Sequence, residues 1–202
     1  MFKENKSIAG KLREAFHPTP IRKRIMETLF KLKVQISQLD RTAQKMLQRD
    51  SGLYAKCVNA VEQKNPQLAS MYANECGEIR KMAKVILHSQ LALEQVALRL
   101  DTVLNYGDVL QAMKPVGGVV RTIKSQLESI LPDVSMELAS VNESLEFLVT
   151  QVGEASEQSF DMTVTREDAQ KILSEANMVA EQKMQDRFPD LPHIPAQEAK
   201  AQ

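Results

Sequence analysis

Two long stretches of the chain repeat apolar or small side chains in a heptad frame. The first stretch starts near residue 21 and carries Ile25, Leu29, Leu32, Ile36, Leu39, Ala43 and Met46 in that frame. The second carries Leu68, Tyr72, Ile79, Met82, Ile86, Leu93, Val96, Leu100 and Val103. A repeat of this period keeps one stripe of a helix facing a partner helix over many turns. The pattern predicts a helical hairpin over residues 21–112, with arms roughly 55–65 Å long.

The joint between the two arms is short. Asn65 is suited to the N-cap of the second helix and Pro66 to its first helical position. Because so short a connection leaves little slack, we expect the two arms to run antiparallel.

Shorter helical patterns follow the hairpin. Pro115, Gly117 and Gly118 predict that the second arm ends near Met113, and we interpret them as a hinge, with an ordinary loop as the alternative. Two further helices are predicted, one ending near Leu131 and one over about 133–152. The helical core therefore spans residues 21–152, and its shorter helices pack on the hairpin or on a neighbouring molecule.

The last fifty residues have three parts. Residues 153–164 are acidic, polar and aperiodic, which is typical of a linker. A capping box at Thr165 and Asp168 predicts a last helix over residues 165–187, whose weak apolar stripe suits reversible docking. Residues 188–202 form a proline-rich tail, in which the proline spacing favours an extended conformation with Leu191 and Ile194 along one edge.

Composition agrees with an all-α protein, because no stretch alternates apolar and polar residues as a strand does. The longest apolar run is three residues, as in Val85-Ile86-Leu87, which excludes a transmembrane helix. The N-terminus lacks the apolar core of a signal peptide, and two cysteines are too few for a disulfide framework. We therefore expect an intracellular, reducing compartment.

The charge is divided between the two halves of the chain. Residues 1–100 hold 18 Lys and Arg against 9 Asp and Glu, whereas residues 101–202 hold 8 against 17. The basic half predicts an anionic partner, or else the two halves hold each other. Nucleic acid is a poorer candidate than a membrane or an acidic protein surface, because no recognition motif or stacking platform accompanies the charge.

A basic amphipathic segment at residues 1–20 is a candidate membrane contact. Its alternative is a frayed terminus whose apolar residues pack against the hairpin. With the start of the first arm it gives the candidate membrane-binding set, which is Phe2, Lys3, Lys6, Lys11, Arg13, Arg22, Lys23 and Arg24.

Catalytic patterns are missing from the sequence. A di-metal centre needs Glu-x-x-His on two helices, and only Glu14 and His17 have that spacing. Cys57 and Cys76 lack further ligands for zinc, so we interpret them as one core thiol and one half-exposed thiol. No phosphate loop or nucleophile motif occurs, so we expect a non-enzymatic protein with no metal and no cofactor.

Taken together, these parts resemble the ESCRT-III family, and within it the archaeal cell-division form usually called CdvB. The resemblance covers most of the chain, from the basic lead to the proline tail. Its most specific local match is Leu191-Pro192-His193-Ile194-Pro195, which is similar to the proline-rich MIT-interacting motif. By this resemblance, Leu191, Pro192, Ile194 and Pro195 would bind the MIT domain of the AAA ATPase called CdvC.

The resemblance implies a cytoplasmic protein recruited to the inner face of the cell membrane at the division site. It would polymerise there with itself and with ESCRT-III-like paralogues on anionic lipid, and would constrict or cut the division neck. The acidic C-terminal half would fold back on the basic hairpin in a closed monomer. Two departures from the family pattern are the sequence's end at Gln202 without a winged-helix segment and the helix breakers at residues 115–118.

Two other functions stay open at this point. The first is a helical coiled-coil adaptor that binds proteins and never contacts lipid. The second is a metal-dependent helical oxidoreductase, which bound iron or manganese would reveal.

Overall fold

The computed structural model describes residues 20–106, 109–156 and 162–194. These ranges contain five α-helices and no strand, so the all-α prediction is confirmed for the part of the chain described. The helices are α1 (Pro20–Glu62), α2 (Pro66–Tyr106), α3 (Val109–Leu127), α4 (Pro132–Ser156) and α5 (Met162–Arg187).

Helices α1 and α2 form the predicted antiparallel hairpin. Hydrogen bonds between them join Cys57 to Ala69, Asp50 to Arg80, and Asp40 to Gln90. The residue numbers in these pairs decrease along α1 while they increase along α2, as in an antiparallel pair. The helices have 43 and 41 residues, which makes each arm roughly 60–65 Å long. Residues of both heptad stripes are buried in the main core.

A capped turn closes the tip of the hairpin. Lys64 has a φ of 54°, and the Asn65 amide donates to the Ala60 carbonyl at 2.9 Å, as in a Schellman motif. The Asn65 side chain then accepts a hydrogen bond from the Leu68 amide at 3.1 Å. Asn65 is therefore the N-cap of α2 and Pro66 its first helical residue, as the sequence predicted.

The three shorter helices fold against the hairpin. Helix α4 lies on α1 and α3, and α5 lies on α2 and α3. The residues of the two hairpin stripes meet those of α3, α4 and α5 in one main core. Fully buried large side chains of that core include Leu32, Leu39, Ile86, Leu93, Leu100, Ile123, Leu138, Leu145 and Ile172.

The prediction that Pro115, Gly117 and Gly118 end a helix is wrong for this conformation. Helix α2 ends earlier, at Tyr106, and α3 runs from Val109 to Leu127 without interruption at the proline or the glycines. Helix propensity is overridden here by packing, because buried valines between and directly after the breakers hold α3 against its neighbours. Those buried residues are Val116, Val119 and Val120. A hinge motion at this place stays a prediction.

The predicted linker is partly helical. Helix α4 continues to Ser156 and α5 already begins at Met162, so the structure shortens the linker from both sides. Thr165 consequently lies inside α5 and is not its N-cap. The end of α5 at Arg187 agrees with the prediction, and residues 157–161 lie outside the described residues.

Candidate membrane and partner-binding surfaces

The structure separates the candidate membrane-binding residues. Phe2, Lys3, Lys6, Lys11 and Arg13 lie outside the described residues. Arg22, Lys23 and Arg24 are exposed in the first turns of α1, and consecutive residues of a helix point about 100° apart. The Arg24 guanidinium lies 3.8 Å from the centroid of the Phe147 ring, so Arg24 contacts α4. Lys23 lies 4.0 Å from Glu27, a contact that contributes little at so exposed a site.

A second apolar stripe runs along the outside of α1. Met26, Phe30 and Val34 follow one another at four-residue intervals and are 51%, 70% and 42% exposed. Arg22, Lys33 and Arg41 share this side of the helix and are also exposed. We call the set of six residues the outer face. The outer face was not predicted from the core stripe, although the i, i+4, i+8 spacing of its apolar residues is present in the sequence.

Helices α4 and α5 leave Met26, Phe30 and Val34 of the outer face exposed. On α4, Ser140 accepts a hydrogen bond from Lys31 at 3.1 Å, which fixes α4 on another side of α1. On α5, Glu181 pairs with Lys84 of α2 at 2.8 Å. The hydrogen bond from Lys84 holds the pKa of Glu181 below its usual value. The acidic half of the chain therefore does fold onto the hairpin, but it does not cover this basic and apolar surface.

Small residues allow α5 to approach the rest of the molecule closely. Ala169, Ala176 and Ala180 are buried there together with Ile172. A Cβ added to Gly118 of α3 would lie 3.3 Å from the Cβ of Ala169, so α3 and α5 approach closely at that glycine. His88, buried on α2, also contacts the α5 backbone, with Nε2 at 3.1 Å from the Leu173 carbonyl oxygen.

The proline tail returns to the hairpin. Phe188 is buried, and residues 189–194 continue without helix or strand towards the tip. Of the candidate MIT-binding residues, Leu191 is 37% exposed, Pro192 and Ile194 are half-buried, and Pro195 lies outside the described residues. Leu191 and Ile194, predicted to share an edge, thus lie in different surroundings in this conformation.

A buried ion pair was not predicted from the sequence. Asp50 interrupts the apolar stripe of α1, and its side chain is only 2% exposed. Arg80 of α2 donates to both of its carboxylate oxygens, at 2.8 and 3.0 Å. The signal available beforehand was an acidic residue at a core position, which requires a buried partner.

Both cysteines are buried, so the prediction of one half-exposed thiol is wrong. Burial raises the pKa of Cys57, and burial together with the nearby Asp50 carboxylate raises the pKa of Cys76 to about 11. Within residues 20–106, 109–156 and 162–194, no three His, Cys, Asp or Glu side chains are grouped as metal ligands would be. No helix in those ranges is long and apolar enough to span a membrane.

A long antiparallel hairpin with three shorter helices folded against it is the architecture expected of the ESCRT-III class. Comparison with known proteins gives the family directly, because residues 27–199 match Snf7. The chain belongs to the Snf7, or ESCRT-III, family. It is a structural, non-enzymatic protein of the cell-division branch of that family.

Two similar relatives come from Sulfolobus acidocaldarius. The chain is 39% identical over 173 residues to Cell division protein B1, an alignment that covers 86% of this chain and 81% of the relative. It is 35% identical over 175 residues to Cell division protein B, covering 87% and 67% respectively. No solved structure matches the chain.

Proposed function

We propose that this protein assembles into filaments on anionic membrane at the division site and constricts or cuts the division neck. Its polymers contain further copies of itself and ESCRT-III-like paralogues. An AAA ATPase of the CdvC type then takes the polymer apart. Support for the cell-division context comes from the family and from two relatives that are named as cell division proteins.

The outer face of α1 is the observation that carries the membrane contact. Each of its basic residues contributes about 1 kcal/mol near an anionic surface. Phe30, which is 70% exposed, and the neighbouring Met26 supply apolar area that can enter the boundary between headgroups and acyl chains. The basic segment at residues 1–20, whose last residue begins α1, is proposed to bind the same membrane.

The tail provides the proposed contact with the ATPase. Leu191, Pro192, Ile194 and Pro195 are similar to an MIT-interacting motif, in which apolar residues and prolines occupy a groove of the MIT domain. A proline-rich segment has little conformational entropy left to lose, which favours binding of so short a motif.

A matched pair of variants tests the membrane contact. Phe30→Asp puts a negative charge in the centre of the outer face, whereas Met136→Asp puts one on α4, at a side chain that is equally exposed at 69%. We expect Phe30→Asp to reduce cosedimentation with anionic vesicles several-fold and Met136→Asp to leave it close to that of the parent protein.

Negative-stain images of the same samples separate membrane binding from assembly. Filaments should decorate anionic vesicles and be absent from neutral ones. If the parent protein ignores anionic vesicles, or if Phe30→Asp binds them as the parent does, the outer face is not the membrane contact. Filaments that form equally well without lipid would favour the coiled-coil scaffold.

A further inference from the structure

One side of the hairpin carries exposed apolar side chains from both arms. The Gln90 amide nitrogen of α2 marks this side, because it lies 3.5 Å from Asp40 of α1 and 3.0 Å from Glu94. Glu94 is exposed and lies one turn before Leu98, which is 68% exposed. On α1, Lys33 of the outer face lies one heptad before Asp40 and therefore points to the same side. The outer face is thus one half of a broader surface, and α2 supplies the other half.

The apolar residues of the two halves lie at the same level along the hairpin. The arms are antiparallel and Asp40 meets Gln90, so each step back along α1 corresponds to a step forward along α2. By this counting, the level of Leu98 falls between those of Phe30 and Val34. Apolar side chains from both arms therefore face outwards at one place on the hairpin.

The two halves carry opposite charges. The α1 half has Lys33 and Arg41, whereas the α2 half has Glu94 and, one heptad further on, Asp101. By the same counting, the level of Lys33 falls between those of the two acidic residues. The surface therefore matches a second copy of itself, if the α1 half of one copy meets the α2 half of the other.

A shallow groove borders the α2 half and supplies a matching shape. It lies between α2 and α5 and has a volume of about 190 Å³. Its lining residues are Leu91, Glu94, Gln95, Leu98, Ala176 and Val179. On the α1 half, the Phe30 side chain is 70% exposed and at the level of this groove. An aromatic ring gains much from burial against such apolar walls.

A two-fold axis parallel to the hairpin satisfies all of these matches at once. It places α1 of one copy over α2 of the other without shifting either copy along its length. Phe30 of each copy then faces the groove beside Leu98 of the other, and Lys33 faces Glu94 and Asp101. Because each copy uses the same surface, the contact closes on itself and gives a dimer that does not propagate into a filament.

We propose that two copies of the closed chain pair face to face through this surface, with Phe30 of each copy in the α2–α5 groove of the other. The pairing does not depend on the proposed function. A second statement does rest on it, namely that the dimer competes with the membrane. An outer face that is held by a second copy cannot contact lipid, so each form is populated at the expense of the other.

Exchange of charges tests the pairing without lipid. In sedimentation equilibrium, the full-length chain should approach the mass of two chains as its concentration rises, and should not exceed it. Lys33→Glu and Glu94→Lys should each raise the dissociation constant roughly tenfold, because each places like charges opposite one another twice in the dimer. The double variant should return to within about threefold of the parent value, since opposite charges face each other again.

A matched pair of variants tests the apolar part of the surface. Leu98→Ser should weaken the dimer several-fold, whereas Met136→Ser on α4 should not, although the two side chains are 68% and 69% exposed. Circular dichroism and the urea midpoint show whether each variant remains folded.

Three results would overturn the face-to-face dimer. The first is a parent protein that keeps the mass of one chain up to several hundred micromolar, and the second is a mass that grows beyond two chains. The third is a charge exchange that fails to restore pairing in a folded double variant.

Vesicle binding at two protein concentrations tests the competition. Where the parent is mostly dimeric, Leu98→Ser should bind anionic vesicles several-fold better than the parent, and where the parent is monomeric the two should bind alike. Equal binding at both concentrations would overturn the competition and leave the dimer standing. If neither protein binds anionic vesicles at all, the proposed membrane contact fails, and the sedimentation result decides the pairing by itself.

Discussion

Single glycines have different roles in the long helices. A Cβ added at Gly52 or Gly77 would meet no atom within 4 Å, so both are ordinary helical positions filled by an unfavourable residue. Gly118 is different, because its missing Cβ is what lets α5 approach α3 at Ala169. The sequence pattern predicted a helix breaker at Gly118. The structure makes it a packing residue.

An alanine series at these glycines separates the two roles. Gly52→Ala and Gly77→Ala should each raise the free energy of unfolding by about 0.5–1 kcal/mol, since alanine has the higher helix propensity. Gly118→Ala should give less than this gain, or a loss, because α3 and α5 must move apart by a few tenths of an ångström. Urea unfolding measures all three, and an equal gain at Gly118 would contradict the packing role.

At the scale of the elements, α1 carries two stripes with different roles. The core stripe joins α2 and buries residues such as Leu32 and Leu39. The outer face combines basic residues with Met26, Phe30 and Val34, and none of these six side chains is in the core. One helix can thus hold the hairpin together and still present a complete surface to a partner.

Charge reversal on the outer face gives an electrostatic test of this division. Lys33→Glu with Arg41→Glu should lower the affinity for anionic vesicles by roughly tenfold or more, given about 1 kcal/mol for each lost basic contact. The difference from the parent should shrink as salt rises from 50 to 300 mM, because salt screens exposed charges. Vesicle cosedimentation across that salt range measures both effects.

Arg166→Glu with Lys171→Glu is the control for that variant. Both residues are exposed on α5, and the change in net charge is the same. Equal loss of vesicle binding in the two double variants would mean that net charge alone matters and that the outer face has no special role.

The heptad pattern was sufficient to predict the hairpin, because a long heptad repeat is compatible with few structures other than paired long helices. Asn65 and Pro66 fixed the start of α2, since both act locally through capping and a preset backbone angle. The prediction at Pro115 was wrong because the free-energy cost of a proline in a helix is outweighed by the burial of Val116 and Val119. That burial depends on helices distant in the sequence. Asp50 at a core position signals a buried partner, but the identity of that partner does not follow from the sequence, since Arg80 is thirty residues away.

At the scale of the whole molecule, the closed state combines one extensive contact with several weak ones. The two hairpin arms share long buried stripes. Helix α5 instead buries three alanines and one isoleucine, with Leu173 and Met184 partly buried beside them, and contacts α2 through His88 and an exposed pair between Lys84 and Glu181. Alanines bury little apolar area, and exposed ion pairs contribute about 0–1 kcal/mol. Release of α5 therefore costs far less than opening the hairpin, which makes α5 the element suited to a switch between two packings.

Deletion of residues 154–202 removes this weakly held element and should shift the chain towards assembly. Without α5, the surfaces of α2 and α3 that it covers become available to neighbouring copies. We expect a several-fold larger fraction of the truncated protein to pellet by itself and with anionic vesicles. Deletion of residues 195–202 alone is the control, because it keeps α5 and the docked part of the tail, and it should pellet as the parent does. If the long deletion leaves sedimentation unchanged while circular dichroism shows an intact hairpin, α5 does not restrain assembly and the closed packing has another purpose.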